Sequence, residues 1–445
     1  MKRLIATLLC GTMMVGLLSG CGAQKKVINV FAFTDEVPNM VQTYLDKHPE
    51  LGYEMNATII ATTDGLYQPA LDEALKAGGS EAPDIYVAEA AFVVKYCQGD
   101  ASGYAATYKD LGIDIDKMIQ DSQIAKYAYE IGTRPSDGQI VGLPYQATGG
   151  CFIYRRSIAK DTWGSDDPKT VQAKIGGGSG SWDQFWNAAE DLKAKGYGII
   201  SGDGDIWHAI ENSSDEGWIV DGKLHIDPKR EEFIDISKKL KDNNYHNETQ
   251  DWQDGWFADM KGEGEKQVLG FFGPAWLINY TLGQNCGGTK AGEGTYGDWA
   301  VCNSPVGFSW GGTWVLANKD VPSAKKDVVA DIISWITLDY SEDGLQYAWA
   351  NGLMNENGTK DTVASGAVMS KSDGKIDFLG GQNMFDYFVP ANQLANGDNL
   401  TQYDETINSA WRDAVRNYVA GNVTRDQAIA DFKQKVKTDL GIDAE

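Results

Sequence analysis

Three strand–helix units follow one another between residues 27 and 90. Apolar strands over 27–33, 53–60 and 83–88 alternate with segments whose apolar residues recur on one helical face. Repeated units of this kind predict a mostly parallel sheet with helices on both faces. Ligands of such sheets bind beyond the carboxyl ends of the strands, so the pattern predicts a cleft where these three strands end.

The segment 139–156, QIVGLPYQATGGCFIYRR, breaks this pattern and has the features of a strand, a turn and a second strand. Pro144 blocks further ladder pairing at the end of the first strand. Gly149 and Gly150 permit backbone angles that other residues avoid. We interpret the segment as a crossover between two lobes.

Tyr145 and Gln146 are expected to be exposed at this joint. A second segment, 301–317, has the same mixture of strand, glycine and aromatic residues. Two crossings predict a hinge rather than a simple linker. The length of 445 residues agrees with two lobes, because a single core stops growing at roughly 250–300 residues.

Polar sequence after the first crossing predicts loops and one capped helix. The stretch 161–180 is predicted to be a loop, and Ser181 is predicted to cap the next helix, with Gln184 completing a capping box. The Gly-Asp-Gly-Asp stretch at 202–205 is expected to be a polar loop that runs on to Trp207. It lacks the full register of a calcium-binding loop, so no metal site is predicted there.

The N-terminus has the pattern of a bacterial export signal. An apolar stretch, 4–18, follows basic residues and is too short to span a bilayer comfortably. The sequence Leu18-Ser19-Gly20-Cys21 resembles the lipobox of bacterial lipoproteins; an ordinary signal peptide with a chance cysteine is the alternative. The lipobox implies a signal peptide over 1–20, lipidation of Cys21 and a tether over 21–26. We therefore expect an extracytoplasmic domain, anchored by lipid to the outer face of the cell membrane.

The net charge is −24, and it becomes −26 once the signal peptide with Lys2 and Arg3 is removed. Such a surface repels nucleic acid, anionic glycans and anionic lipid, and it suits neutral or cationic ligands. The 14 Trp and 20 Tyr residues exceed ordinary usage. Aromatic side chains are buried or used in binding, so these numbers indicate both.

Cysteine usage leaves two alternatives open. If Cys10 is cleaved away and Cys21 is lipidated, the remaining cysteines are Cys97, Cys151, Cys286 and Cys302. Cys286 and Cys302 flank a glycine-rich loop, and an oxidising compartment would allow them to pair. Isolated buried thiols agree with the sequence equally well. No CxxC motif is present, which argues against a zinc ribbon or a thioredoxin-like site.

Motifs of metal and nucleotide binding give no positive signal. The four histidines show no HExxH or other metal-ligand spacing, and no GxxxxGK[ST] or GxGxxG motif follows a strand. A glycosidase needs two placed carboxylates, but 63 acidic residues make chance pairs uninformative. We therefore predict no catalytic residues, no cofactor and no metal.

The order of these features looks like that of the extracellular solute-binding proteins of carbohydrate ABC importers, the group that includes maltose-binding protein. The lipobox, the strand–helix units and the Leu-Pro-Tyr crossover are followed by Tyr154-Arg155-Arg156. Ser181-Trp182-Asp183 then opens a helix, a strand ends at Gly273-Pro274-Ala275-Trp276, and the second crossover comes late. The resemblance spans 27–440. It implies a two-lobed α/β periplasmic-binding-protein fold, type II-like, whose discontinuous lobes close by a hinge motion.

The resemblance also implies the lobe boundaries. Lobe 1 is expected to comprise 27–143 and 307–352, lobe 2 to comprise 147–304 and 353–440, and the hinge to lie at 144–146 and 305–306.

The same resemblance implies which residues hold a sugar. A pyranose stacks its apolar face on an aromatic ring, and its hydroxyl groups bond to carboxylates and amides. The implied polar contacts are Asp35, Glu36, Glu89, Gln146 and Asp205; the implied aromatic and crossover contacts are Tyr67, Tyr145, Trp207, Trp276, Trp310, Gly312 and Tyr403. The alternative for the aromatic residues is packing, and the alternative for Asp35 and Glu36 is capping of the first helix.

The expected function is capture of an oligosaccharide and its delivery to the membrane subunits of an ABC importer. The protein is expected to be a monomer, to bind no nucleic acid and not to be an enzyme. A secreted glycan-active hydrolase is one alternative, and a solute-binding protein for a non-sugar ligand such as a polyamine is another. The aromatic content favours a sugar, although aromatic boxes also bind cations.

Overall fold

The computed structural model describes residues 26–62, 65–354 and 357–444. The predicted signal peptide, the lipidation site at Cys21 and nearly all of the tether lie outside these residues. Within the described ranges, no helix is both long and apolar enough to cross a membrane.

The strands are β1 Lys26–Ala32, β2 Tyr53–Ile59, β3 Ile85–Glu89, β4 Thr133–Arg134, β5 Gln139–Ile140, β6 Gly142–Pro144, β7 Cys151–Arg155, β8 Ile219–Val220, β9 Lys223–Leu224, β10 Gly270–Gly273, β11 Trp299–Asn303 and β12 Thr313–Ala317.

The helices are α1 Glu36–Lys47, α2 Tyr67–Ala77, α3 Val93–Cys97, α4 Ile115–Ser122, α5 Lys126–Ile131, α6 Arg156–Trp163, α7 Pro168–Ile175, α8 Asp183–Ala194, α9 Asp203–Ser213, α10 Pro228–Asp242, α11 Asp254–Lys261, α12 Ala275–Leu277, α13 Gly283–Asn285, α14 Ser323–Thr337, α15 Leu345–Ala350, α16 Gly366–Met369, α17 Phe385–Leu394, α18 Asp404–Val419 and α19 Arg425–Leu440.

Lobe 1 is built on a five-stranded sheet with the order β2-β1-β3-β12-β6. The first three strands pair in parallel, with Val30 opposite Ile85, as the strand–helix units predict. β12 and β6 are antiparallel to their neighbours, with Val315 opposite both Val87 and Leu143. The expectation of a mostly parallel sheet is thus correct for the strand–helix units and wrong for the strands at the crossovers.

Lobe 2 is built on a three-stranded antiparallel sheet with the order β10-β7-β11. The central strand β7 is buried on both faces, because successive side chains of a strand point to opposite sides. Phe152 and Tyr154 pack into one apolar cluster, and Cys151 and Ile153 pack into another. This two-sided burial explains why β7 is a continuous apolar run rather than an alternating one.

The two predicted crossovers lie side by side and are bonded to each other. The backbone N–H of Gly150 donates to the carbonyl of Phe308 at 2.8 Å, and that of Trp310 donates to the carbonyl of Thr148 at 3.0 Å. A Cβ at Gly150 would overlap the ring of Phe308, so only glycine allows this approach. The close pairing makes one hinge from two distant segments.

The segment that contains Thr362 and Ala364 is a third crossing between the lobes, and it runs beside the first crossover. The sequence did not indicate it. The backbone N–H of Ala364 donates to the carbonyl of Tyr145 at 2.9 Å, and the hydroxyl of Thr362 donates to the carbonyl of Ala147 at 2.7 Å. Because this segment covers the first crossover, Tyr145 and Gln146 are buried. Their predicted exposure is wrong.

Helices replace two of the predicted loops. Asp167 caps α7 by accepting hydrogen bonds from the backbone N–H groups of Lys169 and Thr170, and Pro168 occupies the first helical position. The predicted loop over 161–180 is therefore wrong over 168–175. The predicted polar loop at 202–205 is also wrong, because α9 begins there.

The predicted cap at Ser181 is displaced by one residue. α8 begins at Asp183, and Trp182 holds the capping position without a side-chain hydrogen bond. The Ser181 hydroxyl accepts a hydrogen bond from the backbone N–H of Asp183 at 3.2 Å.

Candidate functional site

A cavity of about 180 Å³ lies between the two lobes, at the carboxyl end of β3. Glu89, Ala90, Ala91 and Ile131 supply its lobe 1 wall. Lobe 2 and the second crossover supply the rest, with His208, Glu211 and Asn212 from α9, Ser309, Trp310 and Gly311 from the crossover, and Asp404, Glu405 and Asn408 from α18. The sequence-predicted residues Glu89 and Trp310 therefore meet in one cavity.

Trp310 is held in this wall by contacts on several sides. Its indole lies face to face with the imidazole of His208, with ring centroids 3.8 Å apart. The indole N–H of Trp276 donates to the Trp310 carbonyl at 2.9 Å, and the two indoles meet nearly edge to face. Gly311 and Gly312 have φ of +75° and +115°, so the backbone after Trp310 takes a course that favours glycine.

His208 is in turn held by a charged network drawn from α9, α18 and the loop before α11. Its Nδ1 lies 3.6 Å from Glu211, its Nε2 lies 3.6 Å from Asp251, and Arg412 donates to Asp251 at 2.6 Å. Burial lowers the pKa of His208, but Asp251 and Glu211 outweigh burial and leave the pKa above its ordinary value. Burial raises the pKa of Asp251, yet His208 and Arg412 hold it well below its usual range. The network thus favours a charged imidazole beneath Trp310.

The cavity carries acidic groups on both sides. Glu89 accepts the backbone N–H of Ala91 at 2.8 Å; burial, with the charges of Glu405 and Glu211, raises its pKa to about 7. Burial raises the pKa of Asp404 to about 6, against the opposing attraction of Arg230. Among the described residues that line the cavity there is no lysine or arginine. These carboxyl groups are suited to accept hydrogen bonds from ligand hydroxyl or amine groups.

Trp252 lies beside this wall and was not among the predicted contacts. Its side chain is 51% exposed, and its ring is nearly parallel to Trp276 at a centroid distance of 6.2 Å. Its φ of +65° is unusual for a large residue. An isolated tryptophan in a polar segment gives no periodic signal, so the sequence did not separate it from surface packing.

Asp35 and Glu36 lie in a second groove rather than in this cavity. The groove also contains Asn279, Tyr280 and Trp349. The Tyr280 hydroxyl lies 3.5 Å from Glu36, which brings lobe 2 against α1 of lobe 1. Burial raises the pKa of Glu36 to about 7, with further contributions from the negative charges of Asp361 and Asp35.

Tyr67 and Trp207, which were predicted to face a sugar, are core residues. The Tyr67 hydroxyl donates to the carbonyl of Val87 at 2.6 Å, and its ring packs among Phe31, Phe33 and Phe92. Trp207 is 1% exposed and packs on Phe233, because it falls on the inner face of α9. We correct both predictions on this ground.

Asp205 organises the start of α9 from inside the core. Its carboxylate accepts the backbone N–H groups of Ser201 and Gly202 at 3.2 and 3.1 Å and the indole N–H of Trp256 at 2.7 Å. Burial raises the pKa of Asp205 to about 7, although these hydrogen bonds oppose the shift. These protein donors account for Asp205 without a ligand, so we correct this prediction too.

Tyr145 and Gln146 are committed to the hinge. The Tyr145 ring packs against Trp349 at 5.5 Å, and the Gln146 amide donates to Asp361 at 2.9 Å. Both side chains are buried in contacts within the protein, so we correct their assignment as exposed ligand contacts. The Gly312 carbonyl similarly accepts the N–H of Ala90 at 3.0 Å, which ties the end of β3 to the crossover.

Tyr403 immediately precedes α18 and is half-buried. Its hydroxyl accepts a hydrogen bond from the side-chain amide of Gln402 at 3.0 Å. It is a neighbour of Asp404, which lines the cavity. Its own ring is not among the described lining residues.

Residues 307–311, Gly-Phe-Ser-Trp-Gly, match the Gly-x-Ser-x-Gly spacing of hydrolase nucleophile elbows. Such an elbow is a turn from a strand into a helix. Ser309 instead lies in an extended crossover, where it pairs with Gly149 and leads into β12. The match is therefore fortuitous. Within the described ranges, no group of three or more His, Cys, Asp or Glu residues is placed to hold a metal ion.

The sequence model of the family described as "Bacterial extracellular solute-binding protein" matches residues 39–368. A sequence search of curated proteins found no match. Many solved structures are similar. One is a crystal structure described as an extracellular solute-binding protein family 1, with a TM-score of 0.73, 16% identity, and coverage of 93% of this chain and 99% of that chain.

Two further solved structures come from named organisms. One is the galacto-N-biose/lacto-N-biose I-binding protein of an ABC transporter from Bifidobacterium longum in complex with lacto-N-biose, with a TM-score of 0.65, 16% identity, and coverage of 95% and 100% of the two chains. The other is the sugar-binding protein MalE from Xanthomonas citri, with a TM-score of 0.68, 12% identity, and coverage of 93% and 97%. These likenesses confirm the two-lobed periplasmic-binding-protein fold.

Proposed function

Because the chain belongs to the family of bacterial extracellular solute-binding proteins, we propose that it captures an oligosaccharide between its lobes and delivers it to an ABC importer. The observation that carries this proposal is the cavity wall in which Trp310 stands among hydrogen-bonding carboxyl groups. Solved structures of the same fold bind β-1,6-galactobiose in one case and lacto-N-biose in another.

The chemistry of the wall suits a sugar. The apolar C–H face of a pyranose packs on an indole, and its hydroxyl groups donate to carboxylates placed around the ring. Trp310 supplies the indole, while Glu89 and Glu211 supply acceptors from opposite lobes. A ligand that contacts both lobes stabilises their closed arrangement.

More than one sugar unit is favoured by what lies next to the cavity. Trp252 presents an exposed ring beside Trp276, and the groove at Asp35 and Glu36 also lies between the lobes. These surfaces offer further places for an extended ligand. We propose Glu89, Trp310 and Trp276, with Trp252, as the main contacts, and Asp35 and Glu36 as outer ones.

Closure would take place about the paired crossovers. Lobe 1, comprising 27–143 and 307–352, would move against lobe 2, comprising 147–304 and 353–440, about 144–146 and 305–306. The membrane subunits of the importer would recognise the closed form of the monomer.

A cationic ligand such as a polyamine is the second candidate. Glu89, Glu211, Asp404 and Glu405 line the cavity with no lysine or arginine among its described lining residues. Amines are attracted to such a site and also to indole faces.

A thermal-shift panel of oligosaccharides, polyamines and amino acids separates these candidates. Tight binding raises stability by mass action, by about 2.7 kcal/mol at one hundred times the dissociation constant. Stabilisation by an oligosaccharide that is recovered unchanged on chromatography supports the proposal. Stabilisation by amines alone favours the second candidate, and conversion of the sugar indicates a hydrolase.

The lipobox supports anchoring at Cys21 on the outer face of the membrane. Metabolic labelling with a radioactive fatty acid is expected to mark the wild-type protein. A Cys21→Ser variant is expected to lose the label, and label retained by that variant would remove Cys21 as the anchor.

A further inference from the structure

The segment 395–403 connects α17 to α18 and touches both lobes beside the cavity. We call it the strap. Its Leu400 lines the cavity. Ala395 and Leu400 pack against the core of lobe 1, whereas the ring of Tyr403 packs against lobe 2. The strap therefore spans the gap that must widen if the lobes separate.

Two asparagines of the strap, Asn396 and Asn399, are bonded firmly to lobe 2. Asn399 is fully buried; its side-chain amide donates to the backbone carbonyl of Ser214 at 2.7 Å, and its backbone carbonyl accepts from the Arg230 guanidinium at 3.1 Å. Asn396 donates to the same Ser214 carbonyl at 3.3 Å. Buried amide and guanidinium hydrogen bonds are costly to break, so the strap moves with lobe 2.

The polar contact of the strap with lobe 1 depends on a glycine. The side-chain Oε1 of Gln402 accepts the backbone N–H of Asp100 at 2.9 Å. A Cβ built on Gly99 would overlap that same Oε1 atom. Gln402 thus sits in a notch that exists because residue 99 has no side chain.

A second polar contact crosses the same gap nearby. The amide of Gln68, on α2 of lobe 1, donates to Glu405, in the first turn of α18, at 3.1 Å. The two contacts lie on either side of Tyr403 in sequence, so the end of the strap and the start of α18 meet lobe 1 together.

We propose that the strap is a latch for the closed lobes and that Gln402 is the residue that engages lobe 1. A contact made only when the lobes are closed raises the closed population, and with it the apparent affinity for any ligand that requires closure. The inference rests on the proposed function only in that a captured sugar is the ligand whose release the latch slows.

The matched variants Gly99→Ala and Gly103→Ala test the latch. An added methyl at Gly99 would overlap the end of the flexible Gln402 side chain and lie 3.1 Å from the Cα of Lys95, so we expect the fold to be retained while the Gln402 contact is lost. At Gly103, an exposed position four residues away, a Cβ meets no atom within 4 Å. A third variant, Gln402→Ala, removes the contact from the other side, and unchanged unfolding midpoints establish that all three are folded.

Two quantities are measured: the radius of gyration of ligand-free protein by small-angle X-ray scattering, and the dissociation rate of a sugar identified by the thermal-shift panel. Gly99→Ala and Gln402→Ala are expected to raise the radius of gyration or to speed dissociation about tenfold, whereas Gly103→Ala matches the wild type. Both quantities unchanged in Gly99→Ala and Gln402→Ala would overturn the latch. If no sugar binds, the proposed function is wrong, but the latch is still tested, because the radius of gyration is measured on ligand-free protein.

Discussion

The imidazole of His208 lies parallel to the indole of Trp310, with ring centroids 3.8 Å apart and an angle of 12° between their planes. One residue comes from α9 of lobe 2, and the other from the second crossover. The stack therefore joins a helix of lobe 2 to the hinge at the wall of the candidate site.

Replacement of Trp310 by alanine is expected to weaken sugar binding. A tryptophan that anchors a ligand costs about 2 kcal/mol or more when truncated, which is roughly thirtyfold in affinity. Calorimetric titration measures the change. The control is Trp163→Ala on α6, whose indole bonds to Asp191 away from the cavity; equal losses in both variants would mean that Trp310 has no specific role.

Stability is expected to fall as the pH rises past neutrality, in part because of His208. Its pKa in the folded protein is raised by Asp251 and Glu211, which outweigh burial. A raised pKa contributes stability that is fully present below the unfolded value, near pH 6.5, and that is lost as the pH rises through the folded value. Arg412 faces the network through Asp251 and remains charged throughout.

Urea unfolding at pH 6 and pH 8.5 tests this dependence. His208→Gln should lose more stability at pH 6 than at pH 8.5, so its pH dependence should be flatter than that of the wild type. The control is His48→Gln at the surface. A His208→Gln variant with the full wild-type dependence would show that the charged network contributes nothing.

Trp207→Ala is expected to destabilise the protein rather than alter the site. A fully buried tryptophan costs about 3–5 kcal/mol when truncated to alanine. Denaturant unfolding gives this value. Trp207→Phe keeps most of the volume and should bind sugar with wild-type affinity; a large loss of affinity in a stably folded Trp207→Phe would return Trp207 to the site.

The four cysteines of the described fold are expected to be unreactive thiols. Cys97, Cys151, Cys286 and Cys302 are all buried and unpaired. Burial raises the pKa of the thiols of Cys97 and Cys151, and only the thiolate reacts readily. Alkylation mapped by mass spectrometry should label all four in denaturant and none in the native protein. A Cys286–Cys302 disulfide in the denatured sample would contradict this.

Local patterns predicted the framework of lobe 1 well. The apolar runs of β1, β2 and β3 are decided by neighbouring residues, and the structure places these strands within one or two residues of their predicted bounds. The cap of α19 is equally local, since the Thr424 hydroxyl accepts a hydrogen bond from the backbone N–H of Gln427. Such features need no knowledge of distant partners.

The candidate site was harder to predict because its parts meet only in the fold. His208, Asp251 and Arg412 lie far apart in sequence, and no spacing connects them. The acidic start of α9 resembled a loop, although Asp203 and Asp205 are favoured in a first helical turn by the helix dipole. Tyr145 was misplaced because the third crossing segment that covers it carries no distinctive pattern.

Isothermal titration of the folded chain with a series of oligosaccharides, beside Trp310→Ala, tests the central claim most directly. We predict saturable binding of one oligosaccharide per chain and a roughly thirtyfold weaker affinity in Trp310→Ala. Failure of every oligosaccharide to bind, or equal affinity in the Trp310→Ala variant, would contradict a sugar site in the cleft.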